Sequence, residues 1–207
     1  MECIKVCVVG ATGYAGIEVC RLVLNHPNME LVMATDRKEA GTKLSAVYPS
    51  FAGVCDLELS LPEPGRIAEV ADVAFLAVPH TASLGLTPQL LAAGVTVLDL
   101  SADYRIHDPK VYEDWYKTPH TSPELLSQTV YGLPELNRAG LGALAARRAV
   151  DTDRAVHLRL VNALFAVFLP DHVEVELHLV EVPSPQSTTN DCPFRPSVGS
   201  NSPKARW

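Results

Sequence analysis

The chain has 207 residues, 47% of them hydrophobic and 20% charged, with a formal net charge of −7 at pH 7. That length accommodates one domain, or one plus part of a second, in a composition ordinary for globular proteins. The acidic balance and the lack of any Lys/Arg-rich run argue against a nucleic-acid partner, and no apolar run approaches the ~18 residues of a membrane span.

The first residues, MECIKVCVVG, lack a charged segment followed by a long apolar one, so no signal peptide is expected and the expected location is cytoplasmic. Five cysteines (Cys3, Cys7, Cys20, Cys55 and Cys192) form no CxxC pair and are odd in number. They support neither a metal site nor a disulfide framework. Cys7 and Cys20 fall inside apolar patterns and read as small buried residues.

Residues 4 to 9, IKVCVV, predict a buried strand. The glycine-rich stretch GATGYAG follows, and then GIEVCRLVL, whose Ile17, Cys20, Leu22, Val23 and Leu24 predict a helix. Asn25-His26-Pro27-Asn28 ends it, because proline cannot continue a helix. ELVMA, residues 30 to 34, predicts the next strand, which completes a βαβ unit.

The pattern then recurs. DVAFLAV, residues 72 to 78, predicts a strand buried on both faces. Thr87 to Ala93 predicts a helix capped by Gly94, and VTVLDL, residues 95 to 100, another strand. Alternating strands and helices imply an α/β fold, a Rossmann-type doubly wound parallel sheet.

Residues 101 to 138 read as loop-rich. They hold four of the six tyrosines and one of the two tryptophans. They fit a ligand surface beside the sheet, or an ordinary insertion packed on its edge. Further on, Val156 to Phe168 predicts a helix or strand, and the alternating VEVELHLVEV, residues 173 to 182, a strand. The Ser-, Pro- and Asn-rich residues 184 to 207 predict disorder. The expected organisation is a nucleotide-binding domain over 1–150, an unmatched segment over 151–183, and a disordered tail over 184–207.

The spacing of Gly10, Gly13 and Gly16, between a strand and a helix, has a mechanical reason. One glycine makes the tight turn, one lets backbone approach a pyrophosphate, and one lets the helix pack closely on the strand. The helix N-terminus supplies free N–H groups to phosphate. At the end of the second strand, Asp36 suits the ribose hydroxyls of NAD, whereas Arg37 suits the extra phosphate of NADP or is a solvated surface charge.

Three later stretches carry a resemblance: FLAVPHTAS (75 to 83), LDLSADYRIHDPKVYEDWY (98 to 116) and VYGLPELNR (130 to 138). Together with GATGYAG, over about residues 3 to 150, the chain resembles the N-acetyl-gamma-glutamyl-phosphate reductases of arginine biosynthesis. The resemblance implies NADP-dependent reduction of an acyl phosphate to a semialdehyde, with a small-molecule substrate and no nucleic-acid or membrane partner. It is compatible with a homo-oligomer. By position it implies that Gly10, Ala11, Thr12, Gly13, Tyr14, Ala15 and Gly16 cradle the pyrophosphate, and that Arg37 lies near the 2′-phosphate. Asp36 stands where the family commonly has a small hydroxyl residue, which leaves NAD open as well. Pro79 and His80 would flank the nicotinamide. Ser101 and Arg105 would lie near substrate, Arg105 suiting bidentate contact with a phosphate or carboxylate. The alternative for Ser101 and Asp103 is a capped turn after the strand, and for His80 a loop histidine bonded to backbone.

The family chemistry needs a cysteine thiolate, set in an Asn-Pro-Gly-Cys-Tyr-Pro-Thr motif beyond the YGLPELNR segment. Counting from Val150, that cysteine position falls at Ala155, and no residue from 151 to 191 is cysteine. Cys192, in TTNDCPFRP, lacks any preceding element that would lower its pKa. His157, His172 and His178 lie in unmatched sequence. No catalytic or metal-binding residue is therefore assigned. Two expectations result: the reductase by family, or a non-catalytic nucleotide-binding fragment or pseudoenzyme from a truncated or frame-shifted gene.

Overall fold

The computed structural model describes residues 3–132, 137–140 and 160–162. Its centre is a wholly parallel sheet of six strands: β1 (Ile4–Val9), β2 (Met29–Thr35), β3 (Val73–Leu76), β4 (Thr96–Asp99), β5 (Val130–Tyr131) and β6 (Leu160–Asn162). They lie in the order β2-β1-β3-β4-β6-β5. The chain leaves β1 towards one edge to form β2, then returns past β1 to form β3. The point of reversal lies at the carboxyl ends of β1 and β3, where open α/β sheets bind ligands.

The helices are α1 (Tyr14–Leu24), α2 (Leu44–Val47), α3 (Pro64–Val70), α4 (Ser83–Ala92) and α5 (Pro109–Tyr116). In α1 the buried residues are Gly16, Val19, Cys20 and Val23, one face at helical spacing. Leu22, expected among the apolar face, is 45% exposed. Two cores result, one on each side of the sheet. One joins Val6, Val8, Val19, Cys20, Val23 and Leu31, and the other joins Cys7, Val9, Leu76, Leu90, Leu91 and Val97. Neighbours along β1 thus go to opposite cores, which explains why its sequence is apolar throughout.

Two expectations shift, and a third is narrowed. The helix expected from Thr87 begins at Ser83 and runs through Pro88. Burial of Leu84, Leu86, Leu90 and Leu91, at about 1.5–3 kcal/mol each, outweighs the backbone bond that proline removes. The stretch 101 to 138, read as loop-rich, contains α5 and a 3₁₀ helix over Pro123–Gln128. Asp108 caps α5 by accepting from the Lys110 amide at 2.9 Å, and Pro109 sits at its first position. Within the segment expected to form a helix or strand, Leu160–Asn162 is a strand, inserted between β4 and β5.

Cys7, Cys20 and Cys55 are free and buried, whereas Cys3 is disulfide-bonded, a pairing that the cysteine spacing did not signal. The strand expected over 173 to 182, the disordered tail, Ala155, Cys192, His157, His172 and His178 lie outside the described residues. No helix among the described residues is long and apolar enough to cross a membrane.

Candidate functional site

The glycine loop joins β1 to α1 at the reversal point, and its three glycines do different work. Gly10 has φ +81°, and a Cβ there would meet the Ala77 carbonyl oxygen at 2.3 Å. Only glycine makes this turn beside the end of β3. At Gly16 a Cβ would lie 2.0 Å from the Gly10 oxygen, so α1 packs on the loop through bare backbone. Gly13 is different. A Cβ there would meet only the Gly10 oxygen, at an ordinary 3.5 Å, and its backbone is extended at φ −75°. The protein's own packing does not demand glycine at 13. The residue is exposed.

Gly13 is also the N-cap of α1 and provides no side-chain cap. The first amide bonded back along the helix is Ile17, to the Gly13 carbonyl at 2.9 Å. The amides of Tyr14, Ala15 and Gly16 therefore form the open positive end of an 11-residue helix, suited to a pyrophosphate. Tyr14 itself is 93% exposed. Ala11 is buried, and its amide and that of Gly10 both donate to the Thr35 carbonyl.

Thr12 ties the loop to the end of β2. Its hydroxyl donates to Asp36 Oδ2, and its carbonyl accepts from the Tyr48 hydroxyl at 2.6 Å. Asp36 Oδ1 accepts from the amides of Lys38 at 2.7 Å and Glu39 at 3.1 Å. Partial burial alone would raise the Asp36 pKa. The Thr12 hydroxyl, the two amides and the Lys38 charge outweigh it and hold the carboxyl below its ordinary value. Both carboxylate oxygens thus already serve the turn. Arg37 and Lys38 beside it are exposed.

Across the crevice, the chain leaves β3 through Pro79, His80 and Thr81, all exposed. His80 Nδ1 accepts from the Ala102 amide at 3.3 Å, and its ring lies 5.1 Å from that of Tyr116. Its backbone bond follows the loop-histidine alternative, yet it also ties this turn to the segment after β4. Thr81 adopts the left-handed conformation at φ +71°. Its amide donates to Asp103 Oδ1 at 2.8 Å.

The segment after β4 forms the capped turn. The Ser101 amide donates to Asp99 Oδ1 at 2.9 Å, and the Asp103 amide to Ser101 Oγ at 3.1 Å. Ser101 is 2% exposed, and its hydroxyl also donates to Asp99 Oδ2 at 2.9 Å, inside the protein. Of the two residues expected near substrate, Arg105 is the more accessible. Its guanidinium donates to the Ser101 carbonyl at 3.2 Å and lies 5.9 Å from the Tyr131 ring centroid. The SADYR stretch and Tyr131 of β5 therefore meet at one corner of the sheet.

Sequence reading did not anticipate the polar cluster beneath this corner. Ser83 Oγ lies 3.0 Å from Asp99 Oδ2, 2.9 Å from Ser101 Oγ and 2.7 Å from Asp103 Oδ2. The Tyr112 hydroxyl donates to Asp103 Oδ1 at 2.8 Å. Asp99 and Asp103 are both fully buried. Burial, only partly offset by the Ser101 and Ser83 hydrogen bonds, pushes the Asp99 pKa up to about 6. The signal for this cluster was Asp108-Pro109, the start of the helix that delivers Tyr112.

None of the three free cysteines is a ready nucleophile. Burial pushes the Cys7 and Cys20 thiols up to about 12 and raises Cys55 as well. Among the described residues, no group of three or more His, Cys, Asp or Glu side chains converges as a metal site.

Residues 5–143 match the family model of the semialdehyde dehydrogenase NAD-binding domain. The chain is 46% identical over 138 residues to the N-acetyl-gamma-glutamyl-phosphate reductase of Nitrosococcus oceani, covering 67% of this chain and 40% of that protein. To the same-named protein of Syntrophobacter fumaroxidans it is 50% identical over 135 residues, 65% of this chain and 39% of that one. The chain thus spans about 40% of the length of the curated relatives it matches. Among solved structures it resembles aspartate semialdehyde dehydrogenase with NADP from Candida albicans, with a TM-score of 0.58, 17% identity, and coverage of 78% of this chain and 42% of that one. Aspartate semialdehyde dehydrogenase II from Vibrio cholerae gives 0.50 at 16% identity, covering 79% of this chain and 38% of that one. Identities this low establish the fold alone. The chain belongs to the semialdehyde dehydrogenase NAD-binding domain family.

Proposed function

We propose, with membership of that family as the premise, that this chain is the NADP(H)-binding portion of an N-acetyl-gamma-glutamyl-phosphate reductase of arginine biosynthesis. The observation that carries the reading is Gly13, exposed at the uncapped end of α1, where the protein itself leaves room for a Cβ. A pyrophosphate against the amides of residues 14 to 16 supplies the missing reason for glycine.

NADP is the favoured form. Asp36 is engaged by Thr12 and by two amides and is poorly placed to serve ribose hydroxyls as well. Exposed Arg37 and Lys38 supply positive charge for a 2′-phosphate. Pro79 and His80 would bound the nicotinamide, and Arg105 would face the substrate anion. In the family's reaction the bound dinucleotide would supply a hydride to an acyl carbon.

Reduction of an acyl phosphate by this family's route also needs a thiolate. The thiols of Cys7, Cys20 and Cys55 are buried and raised, and the family cysteine position falls at Ala155. The reading is therefore binding without turnover by this chain, in a cytoplasmic setting and with a small-molecule acyl phosphate as the family substrate.

Fluorescence titration with NADPH and NADH tests the first half. Saturable NADPH binding at least tenfold tighter than NADH is expected, and no binding of either would end the proposal. Intact mass after incubation with N-acetyl-gamma-glutamyl phosphate tests the second half. An unmodified chain is expected, and an acyl adduct on any cysteine would overturn the non-catalytic reading.

A further inference from the structure

The buried cluster at the carboxyl end of β4 reaches the His80–Thr81 turn through the bond from the Thr81 amide to Asp103. Thr81 sits in a left-handed conformation that a β-branched residue adopts only under constraint. The constraint is its amide bond to Asp103, a carboxylate with no exposed surface. Asp103 is in turn held by Tyr112 from α5 and Ser83 from α4. Three elements therefore converge on one carboxyl group, and that group fixes the turn containing Pro79 and His80. His80 is additionally tied by the Ala102 amide, one residue before Asp103.

Four oxygen–oxygen contacts join Ser83, Asp99, Ser101 and Asp103 into one buried hydrogen-bonded network. Among the described residues neither carboxylate is ion-paired.

We propose that Asp103 is a positioning residue of the cleft, which holds the His80–Thr81 turn in its left-handed form and thereby sets the seat of the nicotinamide end of the dinucleotide. The proposal rests on the nucleotide-binding reading above. It assigns the two ends of the cofactor to separate supports: the adenosine end to the glycine loop and the end of β2, the nicotinamide end to a carboxyl group that never touches it.

The test measures two ligands on the same full chain: NADPH, and adenosine 2′,5′-bisphosphate, which lacks the nicotinamide riboside. Asp103→Ala should weaken NADPH about tenfold and leave adenosine 2′,5′-bisphosphate within about twofold. Asp103→Asn keeps an acceptor for the Thr81 amide and a partner for Ser83, so it should stay within about threefold of the parent for both ligands. Thr81→Gly in the Asp103→Ala background should recover most of the lost NADPH affinity, because glycine needs no clamp at φ +71°.

Equal weakening of both ligands by Asp103→Ala, or no weakening of either, overturns the proposal. So does an Asn variant as poor as the Ala variant. Should Asp103→Ala fail to fold by circular dichroism, Tyr112→Phe and Ser83→Ala are measured instead. Each removes one bond to Asp103 and should show the same ligand-selective loss at about threefold, and loss on both ligands overturns the idea. A parent chain that binds neither ligand defeats the nucleotide reading itself, a distinct result.

Discussion

Around Gly10–Gly16 the turn is made from backbone. Gly10 and Gly16 leave no room for a side chain, the amides of Gly10 and Ala11 go to Thr35, and the helix end is left open. Around Pro79–Arg105 the same kind of strand-to-helix exit is made from side chains. A non-glycine residue takes the left-handed conformation and two buried carboxylates hold the loop. The first solution is rigid by steric exclusion. The second depends on hydrogen bonds and protons, so it is the one that pH and conservative substitutions can reach.

The largest break in this comparison comes from Gly16→Ala. A methyl group 2.0 Å from the Gly10 oxygen cannot be accommodated by a rotamer change, because the obstacle is backbone. A loss of several kcal/mol is expected, read as a collapsed thermal melt or as insoluble protein.

Next comes the carboxylate cluster. The folded-state pKa of Asp99, about 6, lies above its ordinary 3.8. Below 3.8 both folded and unfolded chains hold the proton. Between 3.8 and about 6 only the folded chain holds it, so stability falls as pH rises through that window, and above it the full penalty is present. Asp99→Asn removes this titration. The parent should lose on the order of 3 kcal/mol relative to the Asn variant between pH 3.5 and pH 7.5. Denaturant melts of both proteins at the two pH values measure it, and parallel curves would deny the shift.

Gly13→Ala sharpens the contrast within the glycine loop. Its melting temperature should stay close to the parent's, since the protein offers room at that position. NADPH affinity should fall at least tenfold by calorimetry. Unchanged affinity would mean that no ligand backbone approaches there.

The smallest effect expected is that of Tyr48→Phe, which removes the 2.6 Å bond to the Thr12 carbonyl and loosens the loop from the segment after β2. About 1 kcal/mol of stability and a modest, equal loss of NADPH and adenosine 2′,5′-bisphosphate affinity are expected, as measured by melts and titration.

Much of the sheet was legible because β1, β2, β3 and β4 are apolar runs bounded by breakers. A strand buried on both faces has no other way to be written. The helix α5 was not read, although Asp108-Pro109 is a start signal. Apart from Val111, its large apolar residues are two tyrosines and one tryptophan, which also suit a ligand-facing loop. The start of α4 was misplaced because Pro88 argues locally against a helix, whereas the leucines around it argue for burial. The glycine loop could be found by spacing, but the separate tasks of its glycines appear only when neighbours are in place. Asp36 shows the limit most plainly. Its position suggested a ribose acceptor, and only the fold reveals its bonds to Thr12, Lys38 and Glu39.

By itself, then, the sequence determined the alternation of strand and helix, the place of the glycine-rich turn and the family. Each depends on residues close together in the chain, through periodicity, breakers and glycine spacing. Only the tertiary structure decided the strand order, the insertion of Leu160–Asn162 between β4 and β5, and the meeting of Ser83, Asp99, Asp103 and Tyr112. These are contacts between separate elements, and the hydrogen bonds that make them are chosen by which groups burial leaves without water.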